Sequence, residues 1–303
     1  MEIALERTPV GARVAVIRLR SLGDCVLTTP ALAILRESRP DLKIAVVVEE
    51  RFLPVFEGNP DVDALLRPSV RELRAWRPHL CLNLHGGNRS LLLTLLSGAR
   101  VRAAFGHFAG SFAYNVRIPT AQEVLGVTRK THTAEQLASA VFYLGASRTD
   151  VPRARLFAER PRAGPPYAVI HPMAKGVGKT WPAERFLAVA RHVAGELRLE
   201  PVIIAGEGED LSAFGRYRAR AGAPLSEVKS LMAGASLFVG NDSGPAHMAA
   251  AFGVPVVVIF GGSDPVVWAP WKTASETIIA RGPIESVSVD EVLSAIAKLK
   301  VAA

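Results

Sequence analysis

Val239-Gly240-Asn241-Asp242-Ser243-Gly244-Pro245-Ala246-His247-Met248-Ala249-Ala250-Ala251 is the stretch that decides the fold. An apolar strand, residues 236–240, runs into a polar turn. Gly244-Pro245 then opens a short Ala-rich helix, and Gly253-Val254-Pro255 closes it ahead of the apolar strand 256–260. Proline is favoured in a first helical turn, where its missing N–H removes no bond. The unpaired N–H groups of such a start attract anions. Asp242, Ser243 and His247 add polar groups beside it. The pattern suits a seat for a phosphorylated ligand. On a plainer reading, Asp242 or Ser243 is an N-cap and His247 is part of a packed wall.

A second strand–turn–helix lies near the N-terminus, where Arg18-Leu19-Arg20-Ser21-Leu22-Gly23-Asp24-Cys25 follows the apolar strand 14–19. Gly23 allows a tight turn, and Asp24 starts a helix over 24–38. A carboxylate there can take a proton from a sugar hydroxyl, or it can simply cap the helix and meet its dipole. Cys25 has no nearby His partner and reads as first-turn packing. The loop His171-Pro172-Met173-Ala174-Lys175-Gly176-Val177-Gly178-Lys179-Thr180-Trp181-Pro182 follows a strand over 167–171 and precedes a helix over 182–197. It is not a Walker motif, because Met173 stands where the first glycine is required. It still offers Lys175, Lys179 and Thr180 to a diphosphate; otherwise it is a solvated basic loop. Gly206-Glu207-Gly208-Glu209, after a strand over 201–205, lacks the third glycine of a dinucleotide fingerprint. An acid there either holds ribose hydroxyls or forms a plain acidic turn. His85-Gly86-Gly87-Asn88-Arg89 follows a strand over 79–84 and either lines a cleft or is a loop with Asn88 as a helix cap.

Working outward, strands and helices alternate along the whole chain, which predicts α/β architecture with parallel strands. A helix over 133–144 closes the first half. Arg148 to Pro166 then gathers prolines and arginines and reads as an interdomain connection. The second half opens on the strand 167–171 and repeats the same grammar. Residues 210–224 leave room only for an abbreviated helix, and an amphipathic helix over 289–299 ends the chain. The domains are set at 1–155 and 156–303, with the final helix free to pack back on the first. Ligands of open α/β sheets bind at the carboxyl ends of strands. Two doubly wound, Rossmann-like domains facing a central cleft would therefore oppose the Asp24 turn to the Lys179 and Asp242 turns.

Composition narrows the partners. The chain has 303 residues, 49% of them hydrophobic, and carries a net charge of +8 from 36 basic and 28 acidic residues. That is ample for two cores. Arginine predominates among the basic residues and suits phosphate and carboxylate ligands. Only 7% of residues are aromatic, with no basic–aromatic interleaving, so nucleic acid is set aside. Cys25 and Cys81 make neither a disulfide framework nor a metal-ligand spacing, which points to a reducing cytosol. No signal peptide or transmembrane helix is read, so any membrane contact is peripheral.

With these pieces in order, the chain resembles the bacterial lipopolysaccharide heptosyltransferases of glycosyltransferase family 9. The resemblance spans the chain: Gly23-Asp24 with Thr28 and Pro30-Ala31, Asn83-Leu84-His85-Gly86, Lys179-x-Trp181-Pro182, and Asn241-Asp242-Ser243-Gly244-Pro245-x-His247-x-Ala249-Ala250, the most specific of the four. It implies a GT-B fold, an N-terminal acceptor domain, a C-terminal nucleotide-sugar domain, and inverting transfer without a metal or other cofactor. Carried over, Asp24 is the general base and Lys179 neutralises the leaving diphosphate. Asp242, Ser243, Gly244 and His247 match the donor-binding turn, and Glu209 (or Glu207) the ribose-binding carboxylate. Pro245 in the same turn and Lys175 and Thr180 on the lysine loop are added to the donor side from their own chemistry, Lys175 standing where members often place a small hydroxyl or charged residue. Arg18, Arg20, Gly23, His85 and Asn88 fall on the acceptor side. The implied donor is ADP-heptose. The acceptor is an anionic lipid-linked saccharide, met by a monomer at the cytoplasmic face of the inner membrane. Leu27 departs from the histidine many members carry there. The alternatives are another nucleotide sugar on a different glycan or protein, and a non-catalytic nucleotide-sugar binder.

Overall fold

A computed structural model describes residues 4–160, 164–299 and 301. The chain divides into two compact units, Met1–Arg155 and Leu156–Ala303. Residues 161–163 of the proline-rich connection lie outside the described residues.

The first unit holds strands β1 (Arg13–Ile17), β2 (Lys43–Val47), β3 (Ala64–Leu66), β4 (Leu80–Asn83), β5 (Val101–Phe105) and β6 (Val116–Ile118). Its helices are α1 (Leu22–Ser38), α2 (Leu53–Phe56), α3 (Val70–Trp76), α4 (Asn88–Leu96), α5 (Ala121–Leu125) and α6 (Thr133–Leu144). The second unit holds β7 (Tyr167–His171), β8 (Glu200–Ala205), β9 (Arg218–Ala221), β10 (Leu237–Asn241), β11 (Val256–Phe260) and β12 (Ser275–Ile279). With them come α7 (Ala183–Gly195), α8 (Leu225–Ala233), α9 (Gly244–Phe252), α10 (Pro265–Trp268) and α11 (Val289–Lys298).

Each unit forms one six-stranded sheet, ordered β3-β2-β1-β4-β5-β6 in the first and β12-β11-β10-β7-β8-β9 in the second. Counted from its own first strand, the second sheet repeats the order of the first. Every pairing is parallel, with Val14 opposite both Ile44 and Leu80 and Phe238 opposite both Val169 and Val256. The central strands β7, β10 and β11 are buried along their full length. That is why they read as continuous apolar runs and not as alternating ones.

Local chemistry sets the helix ends. Ser21 caps α1 in a capping box with Asp24. Pro30 lies inside α1 and cannot donate to the Val26 carbonyl. The Thr29 hydroxyl donates to that carbonyl instead, at 2.9 Å, so the helix continues through the proline. Capping boxes at Thr120/Glu123, His132/Glu135 and Ser288/Glu291 start α5, α6 and α11. Gly253 ends α9 in the left-handed conformation at φ 77°.

The second core centres on Trp181 and Phe186, both fully buried and meeting edge to face at 4.9 Å between centroids. The Trp181 indole N–H donates to the Val287 carbonyl at 2.9 Å. The closing helix α11 packs on α7, β11 and β12 of its own unit and buries Val292, Ala295 and Ile296.

Three elements were not expected from the sequence. The abbreviated helix after Glu209 is only a 3₁₀ turn, Ser212–Phe214, and it leads into β9. That strand is Arg-Ala-Arg-Ala and pairs only with β8. An edge strand tolerates charge, so β9 carries no apolar signal. The helices α5 and α10 are too short to set up a helical period.

Replacing Phe186 with Ala should lower stability by about 3–5 kcal/mol, measured as the shift in equilibrium urea denaturation.

Candidate functional site

In a sheet of this order the crevice opens where neighbouring strands send the chain in opposite directions. In the first unit that place is the carboxyl ends of β1 and β4; in the second, those of β7 and β10.

In the first unit β1 delivers Arg18 and then the start of α1. The helix begins at Leu22, so Asp24 is its third residue and Ser21 its cap. This corrects the sequence reading, in which Asp24 starts the helix after a turn at Gly23; Gly23 is buried within the first helical turn. One Asp24 oxygen accepts from the Ser21 N–H at 3.2 Å and the Ser21 hydroxyl at 2.8 Å. The other lies 3.3 Å from Arg18 Nη1. The Arg18 side chain is 8% exposed and that of Asp24 is 23% exposed. A buried guanidinium must keep a counter-charge close, and the carboxylate that supplies it still reaches solvent. Burial lowers the Arg18 pKa, and Asp24 opposes that shift.

His85 follows β4. The Asn83 side-chain oxygen accepts from the His85 and Gly86 N–H groups at 3.0 and 3.2 Å and so shapes this turn. The His85 ring lies beside the Arg20 backbone. Its pKa is lowered by burial first and then by Arg18, so the ring beside Asp24 is held toward its neutral form. The structure therefore brings Arg18, Asp24, His85 and the Arg20 backbone together. Asn88 is exposed as the first residue of α4, whose N-cap is Gly87, not Asn88. Cys25 is buried, its thiol 3.8 Å from the Arg18 carbonyl. Burial pushes its pKa strongly up, as suits first-turn packing.

In the second unit Asn241, at the end of β10, organises the lysine loop. Its side-chain oxygen accepts from the Trp181 N–H at 3.0 Å, and its amide donates to the Pro172 carbonyl at 2.9 Å. A Cβ at Gly261 would strike the Gly178 carbonyl, so only glycine there lets the loop lie this close to the end of β11. Lys179 Nζ then sits 3.2 Å from an Asp242 carboxylate oxygen, which also accepts from the Ser263 hydroxyl. The Lys179 side chain is 30% exposed and that of Asp242 is 9% exposed. The ammonium is thus presented and the carboxylate is buried behind it.

Ser243 precedes α9, but its hydroxyl does not cap the helix. That hydroxyl lies 3.0 Å from His171 Nδ1 and donates to the Asn241 carbonyl at 3.1 Å. With no side chain capping it, the first turn of Gly244-Pro245 keeps its affinity for an anion. His247 is buried, its ring 6.3 Å from that of Trp268. Lys175 is exposed on the same loop, while the Thr180 hydroxyl donates to the Ala174 carbonyl at 3.2 Å. The Glu209 carboxylate folds back to accept from the Gly206 N–H at 2.6 Å, and Glu207 is exposed.

Residues missed in the sequence are Ser21, Asn241 as an organiser, Ser263 and His171. Ser21-x-x-Asp24 is a capping-box spacing and was legible; Ser263 has no local signal. Among the described residues, no group of three or more His, Cys, Asp or Glu is placed to hold a metal ion. Among them also, no helix is long and apolar enough to cross a membrane.

Residues 67–290 match the family model for glycosyltransferase family 9 (heptosyltransferase). Lipopolysaccharide heptosyltransferase 3 of Escherichia coli is 28% identical, over 84% of this chain and 85% of the relative. Lipopolysaccharide heptosyltransferase 1 of Salmonella typhimurium is 26% identical, over 84% and 89%. Among solved structures, the family 9 glycosyl transferase from Veillonella parvula aligns at a TM-score of 0.81 with 21% identity, covering 95% of this chain and 97% of that one. The E. coli heptosyltransferase WaaC with ADP aligns at 0.78 with 20% identity, covering 95% and 99%. The fold is that of the GT-B heptosyltransferases.

His171, under Ser243, has its pKa pushed down by burial from 6.5 to about 4. A base whose folded pKa is depressed lends stability above its unfolded pKa and loses it as pH falls toward the folded one. Unfolding free energy should therefore drop by up to about 3 kcal/mol as pH falls from about 6.5 to 4. Denaturation of His171→Asn across that range should show a flatter profile.

Proposed function

The chain belongs to glycosyltransferase family 9 and is a glycosyltransferase, and on that ground we propose that it transfers heptose from ADP-heptose to an anionic lipid-linked saccharide such as the inner core of lipopolysaccharide. The observation that carries the chemistry is Lys179, held by buried Asp242 beside the uncapped start of α9. The names of the relatives support the donor and the acceptor.

In this reading the acceptor hydroxyl attacks the anomeric carbon of the donor from the face opposite the diphosphate. The new bond is acceptor oxygen to carbon, the bond from that carbon to the diphosphate oxygen breaks, and the configuration inverts. Asp24 takes the hydroxyl proton. Its carboxylate is fixed on one side by Ser21 and on the other by Arg18, so little reorientation separates it from the geometry a base requires. His85, held toward neutrality, adds no positive charge that would compete for the carboxylate.

The leaving ADP gathers negative charge on its diphosphate oxygens. Lys179 and the N–H groups of α9 meet that charge where it develops, and a single such donor is worth about 3 kcal/mol of barrier. Lys175 stands on the same loop to add to it. These groups supply the electrostatic role a divalent cation plays in other transferases, so we infer metal-independent transfer. Asp242 acts here by positioning Lys179, and Ser243 and His171 by shaping the first turn of α9. Glu209 or Glu207 takes the ribose. The lipid-linked acceptor places the protein at the cytoplasmic face of the inner membrane.

The deciding experiment presents ADP-heptose, UDP-glucose and GDP-mannose with a core-lipid acceptor, with and without EDTA, and reads the anomeric configuration of the product. ADP-heptose should be used, EDTA should leave the rate unchanged, and the product should be inverted. Use of a different donor would discard heptose and keep the transferase. Asp24→Asn, which preserves the helix cap, should lower kcat by about 10²–10⁴-fold with donor affinity unchanged. Lys179→Ala should lower kcat by about 10²–10³-fold and weaken ADP binding as well. Full activity in either variant would remove that residue from its role.

A further inference from the structure

Helix α4 is amphipathic in an unusual sense. It buries Ser90, Leu93 and Thr94 and turns leucines to solvent: Leu92 is 54% exposed and Leu95 42%, with Leu96 beside them. These positions recur at three- and four-residue spacing and form one stripe. The same patch continues in the loop after β5. Leu91 of α4 packs against Gly110, where a Cβ would collide with the leucine Cδ2. Two residues on stands Phe112, 81% exposed. Large apolar side chains scattered singly are ordinary on a surface, but a contiguous set marks a contact.

The surroundings of the patch are strongly one-signed. Residues 67–117 carry eight arginines and a single acidic residue, Glu72. Several border the stripe directly. Arg74, on the neighbouring helix α3, donates to the Leu96 carbonyl at 2.8 Å. Arg117 donates to the Ser111 carbonyl, next to Phe112, at 3.1 Å. Arg71 is exposed on the same helix as Arg74, and Arg89 lies at the start of α4, 3.5 Å from Glu49. Apolar side chains ringed by guanidiniums match an interface with hydrocarbon beneath and anionic headgroups around it. A protein partner of this chemistry would need an acidic rim about an apolar pocket; a bilayer supplies both everywhere.

We propose that the outer face of α4 and the Phe112 loop form a membrane-docking surface, with Leu92, Leu95, Leu96 and Phe112 entering the acyl boundary and the bordering arginines engaging anionic lipid headgroups. The proposal rests on the reading of a lipid-linked acceptor, yet it concerns bare lipid and needs neither donor nor turnover.

The test uses the full chain and vesicles of phosphatidylcholine alone or mixed equally with phosphatidylglycerol, with no saccharide present. The chain should co-sediment with the mixed vesicles, bind pure phosphatidylcholine far less, and release as salt rises. Leu92→Ser/Leu95→Ser/Phe112→Ser should weaken binding by about tenfold or more, and Arg71→Glu/Arg117→Glu should weaken it and flatten its salt dependence. Both variants should keep wild-type turnover on a lipid-free acceptor oligosaccharide. A second measurement leaves the leucines in place. Both native cysteines are buried, so an environment-sensitive dye can be attached to Phe112→Cys alone. Its emission should shift to the blue on mixed vesicles, while the same dye at Glu37→Cys, on α1, stays unchanged.

Wild-type affinity in the serine variant, or a silent dye at position 112, would overturn the proposal. So would a concentration-dependent dimer that the serine variant dissolves, because the patch would then be covered by a second copy. Vesicle binding with no transfer to any acceptor would count against the proposed reaction and leave the docking surface standing.

Discussion

Parallel strands deliver the chain to one edge of a sheet, and both units depend on that constraint. Where the order runs β2-β1-β4, and again β11-β10-β7, the strand on each side of the central pair draws its connection away in the opposite direction. The loops after the central strands are left flanking a gap. The groups proposed for proton transfer and for the leaving diphosphate stand on these loops or on the helix that follows: Arg18 and Asp24 after β1, His85 after β4, Lys179 after β7, Asp242 and Ser243 after β10; the candidate ribose carboxylates Glu207 and Glu209 follow β8. The cavity of about 810 Å³ lined by Tyr167, Glu200, Arg218 and Pro255 is at the other, amino-terminal, end of the second sheet. Four of its charges pair with one another, Arg218 with Glu200 at 3.7 Å and Arg220 with Glu227 at 3.1 Å.

The two units solve the same electrostatic problem with opposite signs. In the first, a buried cation, Arg18, steadies an accessible anion. In the second, a buried anion, Asp242, steadies an accessible cation. In each case the buried partner is the more costly to desolvate and is compensated by the exposed one. The exposed partner is thereby oriented without being withdrawn from solvent. Neutral hydrogen bonds complete the support, from Ser21 to Asp24 and from Ser263 to Asp242.

Much of this was legible in the sequence, for identifiable reasons. The strands β7 and β11 and the helix α6 keep the limits read from the sequence, because doubly buried strands are uninterrupted apolar runs and α6 has a full helical period. The Asp24 and Asp242 turns stood out because carboxylates, glycines and hydroxyls cluster at a strand end. What escaped notice depends on contacts between distant segments. Nothing near Asn241 announces that its amide will hold Trp181 and Pro172 of another loop, and Ser263 joins Asp242 only after β11 has paired with β10. Likewise β9 hides because an edge position frees Arg218 and Arg220 from any apolar requirement. The start of α1 was misplaced because Gly23 invites a turn, whereas the Ser21 cap draws the glycine into the helix.

The single hydroxyl of Thr29 does the work of two backbone groups. It gives its proton to the carbonyl that Pro30 leaves stranded and takes one from the Arg155 N–H at 3.1 Å, at the last residue of the first unit. Only a side chain that can donate and accept at once fits this buried place. Serine keeps both bonds, whereas valine, the same shape without the oxygen, breaks both. Position 29 should therefore take serine with little loss and valine only at the cost of two buried hydrogen bonds, for reasons that belong to the backbone alone.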